Sequence, residues 1–406
     1  MLNVVELFSG IGSQKFALAK SELQAKVINT SDWFIPAIIA YDKLFSNGQI
    51  SPKISKLSKD DLINLILPYK LSLNGKDELS EQALKRIDIN ILKHLYQAIS
   101  RTNNLGNIVG LDSDSFNEKV DLMTYSFPCQ DLSNVGAFHG YKDGIDEDKK
   151  TRSGLLWEVK RILEDINQNN KTLPRYLLLE NVTSLNSIRH KDNFKKWRDY
   201  LENLGYANNF YTLNAIDFGI PQNRNRIFMI SVLVKGISKS KREKIHQLLE
   251  KDIKSNQTLK LNLKNYLRLD YSNPVYYHEA LESQPNLTPS RKMIYRNNYP
   301  IYRNGNFIRH TATITTKQDR HPNSGTLDFN TDRGNFRYLT PREAFMLMGF
   351  EEEQFNKLIS NNFRLKNYSQ RYFFSRDTYY RLFGNSIVVD VLVHVFNRIA
   401  DIEREF

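Results

Sequence analysis

Three side-chain types in this sequence can do chemistry together. The only cysteine, Cys129, stands in Ser126-Phe127-Pro128-Cys129-Gln130, at the end of the apolar run Asp121–Ser126. A carboxyl group, Glu180, follows the apolar run Tyr176–Leu179 in Glu180-Asn181-Val182. A guanidinium, Arg226, ends Gln222-Asn223-Arg224-Asn225-Arg226 and opens a third run, Arg226–Val234. A thiolate is a soft nucleophile, a carboxyl group gives or takes a proton, and a guanidinium holds developing negative charge. If the three runs are strands of one α/β sheet, these groups share a crevice, because such folds bind ligands outside the carboxyl ends of their strands. By position alone, a single cysteine reads equally well as a small buried hydrophobe.

A second set of residues points to a nucleotide-like ligand. Phe8-Ser9-Gly10-Ile11-Gly12 follows the apolar stretch Asn3–Leu7, and Asp32 follows the next strand-like run, Lys26–Asn29. Glycines let backbone approach a ligand closely, and a carboxylate at the end of the second strand can accept both ribose hydroxyls. The third glycine of the dinucleotide fingerprint is missing, with Ser13 and Gln14 where the turn tightens. That disfavours a nicotinamide oxidoreductase and favours a monoadenosyl cofactor such as S-adenosylmethionine. Trp33 offers a stacking face for adenine or, alternatively, core packing.

These groups need a scaffold. The apolar runs lack clean alternation, as expected for parallel strands buried on both faces, and helical patterns separate them. Leu84, Ile87, Ile91, Leu95 and Ile99 keep helical spacing, and Phe194–Leu204 ends at Gly205 like a C-capped helix. The expected fold class is therefore α/β with a doubly wound, parallel-type sheet.

At 406 residues, with 40% hydrophobic, 12% aromatic and 25% charged residues, the chain is long enough for one large domain and one smaller one. The same composition excludes wholesale disorder, collagen-like repeats and disulfide scaffolds. Lys and Arg total 57 against 45 Asp and Glu, so an anionic partner such as nucleic acid is favoured. One cysteine excludes an internal disulfide and multi-cysteine zinc or iron–sulfur sites; no metal is expected, and a reducing cytoplasm fits. The N-terminus lacks the basic region and cleavage site of a secretory signal, and no run approaches about 18 consecutive apolar residues. After Val234 comes a lysine-rich stretch, then a segment from Lys260 to His310 with eight Lys or Arg against three acids, interleaved with tyrosines 266, 271, 276, 277, 295, 299 and 302. This reads as a DNA-contacting surface or as a solvated face over a small β core.

Together these blocks resemble the C5-cytosine DNA methyltransferase family. FSGIG, SFPCQDLS, RSGLLWE (152–158), ENV, QNRNR, LTPREAFMLMGF (339–350) and FGNSIVV (383–389) follow that family's order over almost the whole chain outside roughly 235–310. The SFPCQDLS and TRSGLLWE blocks are most similar to bacterial members that methylate CpG. The resemblance implies a Rossmann-like class I S-adenosylmethionine-dependent methyltransferase domain with a smaller target-recognition domain. It implies methyl transfer to C5 of a flipped-out cytosine in a short duplex sequence, through a covalent adduct between Cys129 and C6.

The resemblance also assigns roles. Glu180 would contact the N3 and N4 edge of cytosine and protonate N3, Arg226 would hold O2, and Arg224 and Asn181 would support them. No residue suggests itself as the base that removes the C5 proton; a site water is one option. The 136–154 segment resembles a loop that closes over the flipped base, or is an ordinary surface loop. For the cofactor, Phe8, Gly10, Gly12, Asp32, Trp33, Pro128 and Leu155 would form the pocket, and Asn385 and Ser386 would meet the methionine end. The acid expected to bind the adenine amino group has no clear match, Asp60 and Asp61 being the options. Leu382 stands where the family commonly has a polar residue. Thr313 in ATITT would steady the flipped nucleotide's phosphate, its alternative being a plain strand threonine. Ser133 and Arg320 are further DNA-contacting candidates, and Arg320, His321 and Asn323 could read base edges. KQDRHPNSGTL (317–327) departs from the CpG-methylating relatives and leaves the recognition sequence open.

The expected division is a catalytic domain of residues 1–235, completed by a C-terminal helix within 380–406, and a target-recognition domain of 236–375. A bacterial or phage enzyme is expected, cytoplasmic and on the nucleoid when bound to DNA. It would act as a monomer, since one chain would hold every part, and could be paired with a separately acting restriction endonuclease. The competing readings are an RNA methyltransferase of similar chemistry and a non-catalytic DNA-binding module of the same fold.

Overall fold

The computed structural model describes residues 1–116, 118–128, 132, 153–255, 261–297, 300–317, 325–365 and 371–406. Cys129, Ser133, Arg320, His321, Asn323 and residues 136–152 lie outside the described residues.

Six strands form the main sheet: β1 (Leu2–Leu7), β2 (Ala25–Ser31), β3 (Leu122–Tyr125), β4 (Tyr176–Val182), β5 (Tyr206–Asn214) and β6 (Asn225–Leu233), in the order β2-β1-β3-β4-β6-β5. Side chains alternate between two apolar layers. Tyr176 and Leu178 of β4 enter one core, while Leu177 and Leu179 enter the other. Both faces are covered, which is why these strands read as nearly continuous apolar runs. The first four strands in spatial order are parallel. The chain leaves β1 toward β2 on one side and β3 lies on the other, making a crevice at the carboxyl edge.

The parallel orientation expected for Arg226–Val234 needs correction. β6 runs antiparallel to both β4 and β5, with Val182 paired to Arg226. This reversal brings the head of β6 beside the tail of β4; a parallel β6 would carry Arg226 to the opposite edge of the sheet. The single helical run expected from Leu84 to Ile99 is two helices, Glu81–Arg86 and Ile89–Thr102. Asp88 starts the second by accepting from the Asn90 N–H at 2.8 Å. The helix Lys191–Leu204 ends as expected at Gly205, which is left-handed at φ 102°.

A second sheet, in the order β10-β9-β7-β8, contains β7 (Pro300–Arg303), β8 (Asn306–Phe307), β9 (Thr326–Thr331) and β10 (Gly334–Arg337). Several tyrosines of the basic segment pack against it. Tyr295 stacks on Phe336 at 4.5 Å with Arg303 over its other face, and Tyr271 meets Phe329 at 4.7 Å. The small β core thus accounts for those rings, while Lys292, Arg296 and Arg309 stay exposed. Arg337 of β10 and Glu343 are wholly buried and joined by two hydrogen bonds of 2.8 Å. Glu343 also accepts from the Thr340 and Arg268 backbone N–H groups, so it ties three segments together. Removing one partner of such a pair costs about 3–5 kcal/mol.

The helix Lys239–Glu250 packs on the helix Val389–Glu403, which itself lies against Ser13–Lys20, and the helix Glu352–Ser360 packs on Ile35–Phe45. Arg376–Glu403 is the one described helical stretch apolar enough to cross a membrane. It consists of two helices, Arg376–Gly384 and Val389–Glu403, whose apolar faces lie in the core.

Candidate active site

Beyond β1 the chain turns sharply, with positive φ at Phe8 (59°), Gly10 (56°) and Gly12 (87°). The two glycines serve different ends. A Cβ on Gly10 would meet nothing within 4 Å, whereas one on Gly12 would lie 2.4 Å from Phe45 and 2.9 Å from Tyr41. Gly12 is therefore fixed by packing on the helix Ile35–Phe45, and Gly10 leaves open space. The Gly10 N–H donates to Asp32 Oδ2 at 2.9 Å and the Phe34 N–H to Oδ1 at 2.8 Å. Burial pushes the Asp32 carboxyl up to about 6, against the lowering effect of these backbone donors.

Phe8, Asp32, Trp33, Pro128 and Leu155 line one cleft with about 710 Å³ of empty space, open to solvent. Such a cleft can take an aromatic base against Trp33 and vicinal hydroxyls on Asp32. Asp60 and Asp61 do not line it; Asp61 makes a capping box with Ser58 on the helix Lys59–Ile66. Gly106, Asn107, Ile108 and Val109 form that wall instead, together with Ser31 and Lys76. Sequence reading missed them because this edge joins β2 through one bridge, Thr30–Asn104, and side-chain bonds such as Ser31 Oγ to the Gly106 carbonyl at 2.8 Å, rather than as a strand, so there is no apolar run to see. Asn385 and Ser386 are not part of this cleft. Ser386 is buried, 3.2 Å from the Ser13 hydroxyl, and Asn385 next to it in sequence is exposed.

At the carboxyl edge of β4, Glu180 Oε1 lies 3.4 Å from Arg226 Nε, and both side chains are largely shielded from solvent at 12% and 17% exposure. Burial raises the Glu180 carboxyl above the usual range, while Arg226 and then Arg224 pull it down. A carboxyl group so balanced can exchange a proton with a ligand while the guanidinium holds an oxygen. Asn181 donates to the Phe127 carbonyl at 3.0 Å, and Ser184 Oγ donates to the Leu132 carbonyl at 2.6 Å. Phe127 and Leu132, two residues before and three after Cys129 in sequence, are thus hydrogen-bonded to the segment that carries Glu180.

Arg224 gathers three segments. Its guanidinium donates to the carbonyls of Ile314, Gly384 and Ser386 at 2.9, 3.0 and 2.7 Å. The Thr313 hydroxyl donates to the Asn223 carbonyl at 2.7 Å, and Gln222 Oε1 accepts from the Ile314 N–H at 2.9 Å. Thr313 is therefore fastened to the QNRNR segment. A Cβ on Gly384 would fall 2.4 Å from the backbone at Thr315 and Thr316. Gly384→Ala is expected to displace that segment, lower stability by about 1–3 kcal/mol and raise the KM for DNA; thermal melts and kinetics with duplex DNA check this.

The model of C-5 cytosine-specific DNA methylases matches residues 76–401. The chain belongs to that family. Among curated relatives, the orphan methyltransferase M.SssI of Spiroplasma monobiae is 31% identical over 405 residues, covering 98% of this chain and 97% of its own. The type II methyltransferase M2.ScrFI of Lactococcus lactis subsp. cremoris is 33% identical over 412 residues, covering 98% and 99%. The crystal structure of S. pombe Dnmt2 methyltransferase shares the fold, with TM-score 0.57 at 19% identity over 99% of both chains. Entamoeba histolytica methyltransferase EhMeth does so with TM-score 0.56 at 18% identity, covering 99% and 98%. This C-5 cytosine-specific DNA methylase is a DNA (cytosine-5-)-methyltransferase whose methyl donor is S-adenosylmethionine.

Proposed function

We propose that this methylase attacks a flipped-out cytosine with Cys129 and methylates it through a covalent adduct. The observation that carries the reading is the Glu180–Arg226 pair, set where hydrogen bonds from Asn181 and Ser184 hold the residues flanking Cys129. Cytosine C5 is too electron-poor to take a methyl group directly, and neither C5 nor C6 is reachable within a stacked duplex, so the base must leave the helix. The Cys129 thiolate adds to C6 while Glu180 gives its proton to N3, which turns the ring into an enamine-like nucleophile at C5. Arg226 holds O2 as charge develops. When bound, S-adenosylmethionine supplies an electrophilic methyl group to C5. Loss of the C5 proton to a base then breaks the bond between C6 and Cys129 and restores the aromatic ring.

Phe8, Asp32, Trp33, Pro128 and Leu155 would hold the adenosyl end of the cofactor, with Asn107 and Ile108 in place of the missing acid. The open space over Gly10 and the stacking face of Trp33 support that assignment. Ser13 and Ser386 would meet the methionine end. Ribose hydroxyls bind an ionised carboxylate best, and Asp32 ionises around pH 6. Affinity for S-adenosylhomocysteine should therefore rise from pH 5 to 7.5. Asp32→Asn should flatten the rise and weaken binding roughly tenfold at neutral pH, measured by calorimetric titration.

We assign residues 1–235 and the C-terminal helix to catalysis, and target reading to 236–375, where the second sheet and exposed Lys292, Arg296 and Arg309 lie. The type II names of several relatives support a role beside a separately acting restriction endonuclease, and we place the enzyme in the cytoplasm, on nucleoid DNA, as a monomer. Labelled methyl transfer to unmethylated duplex DNA, read by base-resolution 5-methylcytosine mapping, tests the reading. Methylation at a short recurring sequence supports it. Label entering structured RNA and not DNA would overturn the substrate, and label entering neither would favour a binding module.

A further inference from the structure

We propose that Lys76 is a cofactor-binding residue, delivered to the adenosyl cleft by a preformed loop that none of the recognised sequence blocks contains. This rests on reading that cleft as the S-adenosylmethionine site. Lys76 lines the cleft with Asp32, Trp33 and Asn107. No described residue takes a hydrogen bond or ion pair from its ammonium group.

The loop that carries it is built from internal hydrogen bonds. Ser72 Oγ donates to the Asp77 carbonyl at 2.6 Å and accepts from the Gly75 N–H at 2.9 Å. Asn74 Oδ1 accepts from the N–H groups of Lys76 and Asp77 at 2.8 and 3.0 Å. The base of the loop is fastened to the turn that bears Trp33. The Ser72 N–H donates to the Trp33 carbonyl at 2.7 Å, and the Ile35 N–H donates to the Ser72 carbonyl at 2.9 Å. Its tip is held by Arg381, which donates to the Asn74 carbonyl at 2.5 Å and lies 4.2 Å over the Phe34 ring. Gly75 turns beneath that guanidinium at φ 64°. A lysine carried on a loop held at both ends loses less freedom when it engages a ligand than one on a slack segment.

The two oxygens of Asp32 already accept backbone N–H groups, and Lys76 is not among the groups that shift its ionisation. The ammonium is therefore not engaged by Asp32 and is available to a ligand in the cleft, whose ribose oxygens and adenine ring nitrogens can accept from it. A cation in this wall also opposes the positive sulfonium of the donor but not the neutral thioether of the product. Lys76 thus favours S-adenosylhomocysteine over S-adenosylmethionine and sharpens product inhibition. Arg381 acts as its positioning residue.

Calorimetric titration of the full-length protein with both ligands tests this. Lys76→Ala should raise the Kd for S-adenosylhomocysteine about tenfold and that for S-adenosylmethionine by a smaller factor, and Lys76→Arg should retain most of the affinity. Because Lys76 is exposed, the melting temperature should not move. Arg381→Ala should weaken binding in the same sense, and the double variant should bind no worse than Lys76→Ala. Wild-type protein that fails to bind S-adenosylhomocysteine would overturn the reading of the cleft itself. Tight wild-type binding with Lys76→Ala within twofold of it would overturn the role of Lys76 alone. Equal losses for both ligands would overturn the charge discrimination while supporting the contact.

Discussion

Replacing Cys129 by alanine should lower methyl transfer to DNA by about four orders of magnitude or more, while binding of S-adenosylhomocysteine and duplex DNA stays within a few-fold of wild type. The size of the loss follows from the substrate. Without addition at C6, cytosine C5 has no electron pair to offer, and Cys129 is the only cysteine, so the sequence holds no second thiolate. Binding should survive because the described cleft walls and the bonds from Asn181 to Phe127 and Ser184 to Leu132 are made by other residues, which the substitution leaves in place. Single-turnover transfer of a labelled methyl group, with parallel binding titrations, measures both. Residual activity within about a hundredfold of wild type would show that Cys129 is not the attacking group.

Glu180→Gln should slow the same step by about 10²–10⁴-fold and change its pH dependence. Glutamine keeps the length and hydrogen-bonding reach of the side chain but cannot deliver a proton to N3. Burial raises the Glu180 carboxyl, so it keeps its proton to higher pH than an ordinary carboxyl and loses donor strength as pH rises through that raised value. The rate should therefore fall as pH rises through that value. The variant should lack the ionisation contributed by Glu180. Arg226 is the larger of the two charges that pull this carboxyl down, so Arg226→Ala should move that ionisation further upward. A wild-type profile unchanged in Glu180→Gln would remove Glu180 from the proton transfer.

Much of this arrangement was legible in the residues. FSGIG, the Ser126–Pro128 start of SFPCQ and ENV sit at one edge of the sheet because parallel strands put their carboxyl ends together, and apolar runs mark such strands well. What failed was direction. Arg226–Val234 is apolar on both faces whichever way it runs, so composition could not reveal that β6 is antiparallel, and that reversal is what brings Arg226 to Glu180. The Gly106–Val109 wall was missed because it joins β2 through one bridge and scattered hydrogen bonds rather than as a strand, which leaves no pattern. The tyrosines of the basic segment carry the same signal whether they stack on bases or on Phe336 and Phe329; only their neighbours in space tell the two apart. Gly12 likewise looks identical in sequence to a ligand-facing glycine, yet it is fixed by Phe45 and Tyr41.

The most direct test of the covalent mechanism uses duplex DNA carrying 5-fluorocytosine at the target position, incubated with the enzyme and S-adenosylmethionine. After methyl transfer the ring holds fluorine where a proton would leave, so the bond between sulfur and C6 cannot be released by deprotonation. The expected result is a denaturant-stable protein–DNA complex in which mass spectrometry finds methylated 5-fluorocytosine on the peptide containing Cys129, absent from Cys129→Ala. The account would be contradicted if no complex formed while the same enzyme methylated ordinary cytosine in the matching duplex.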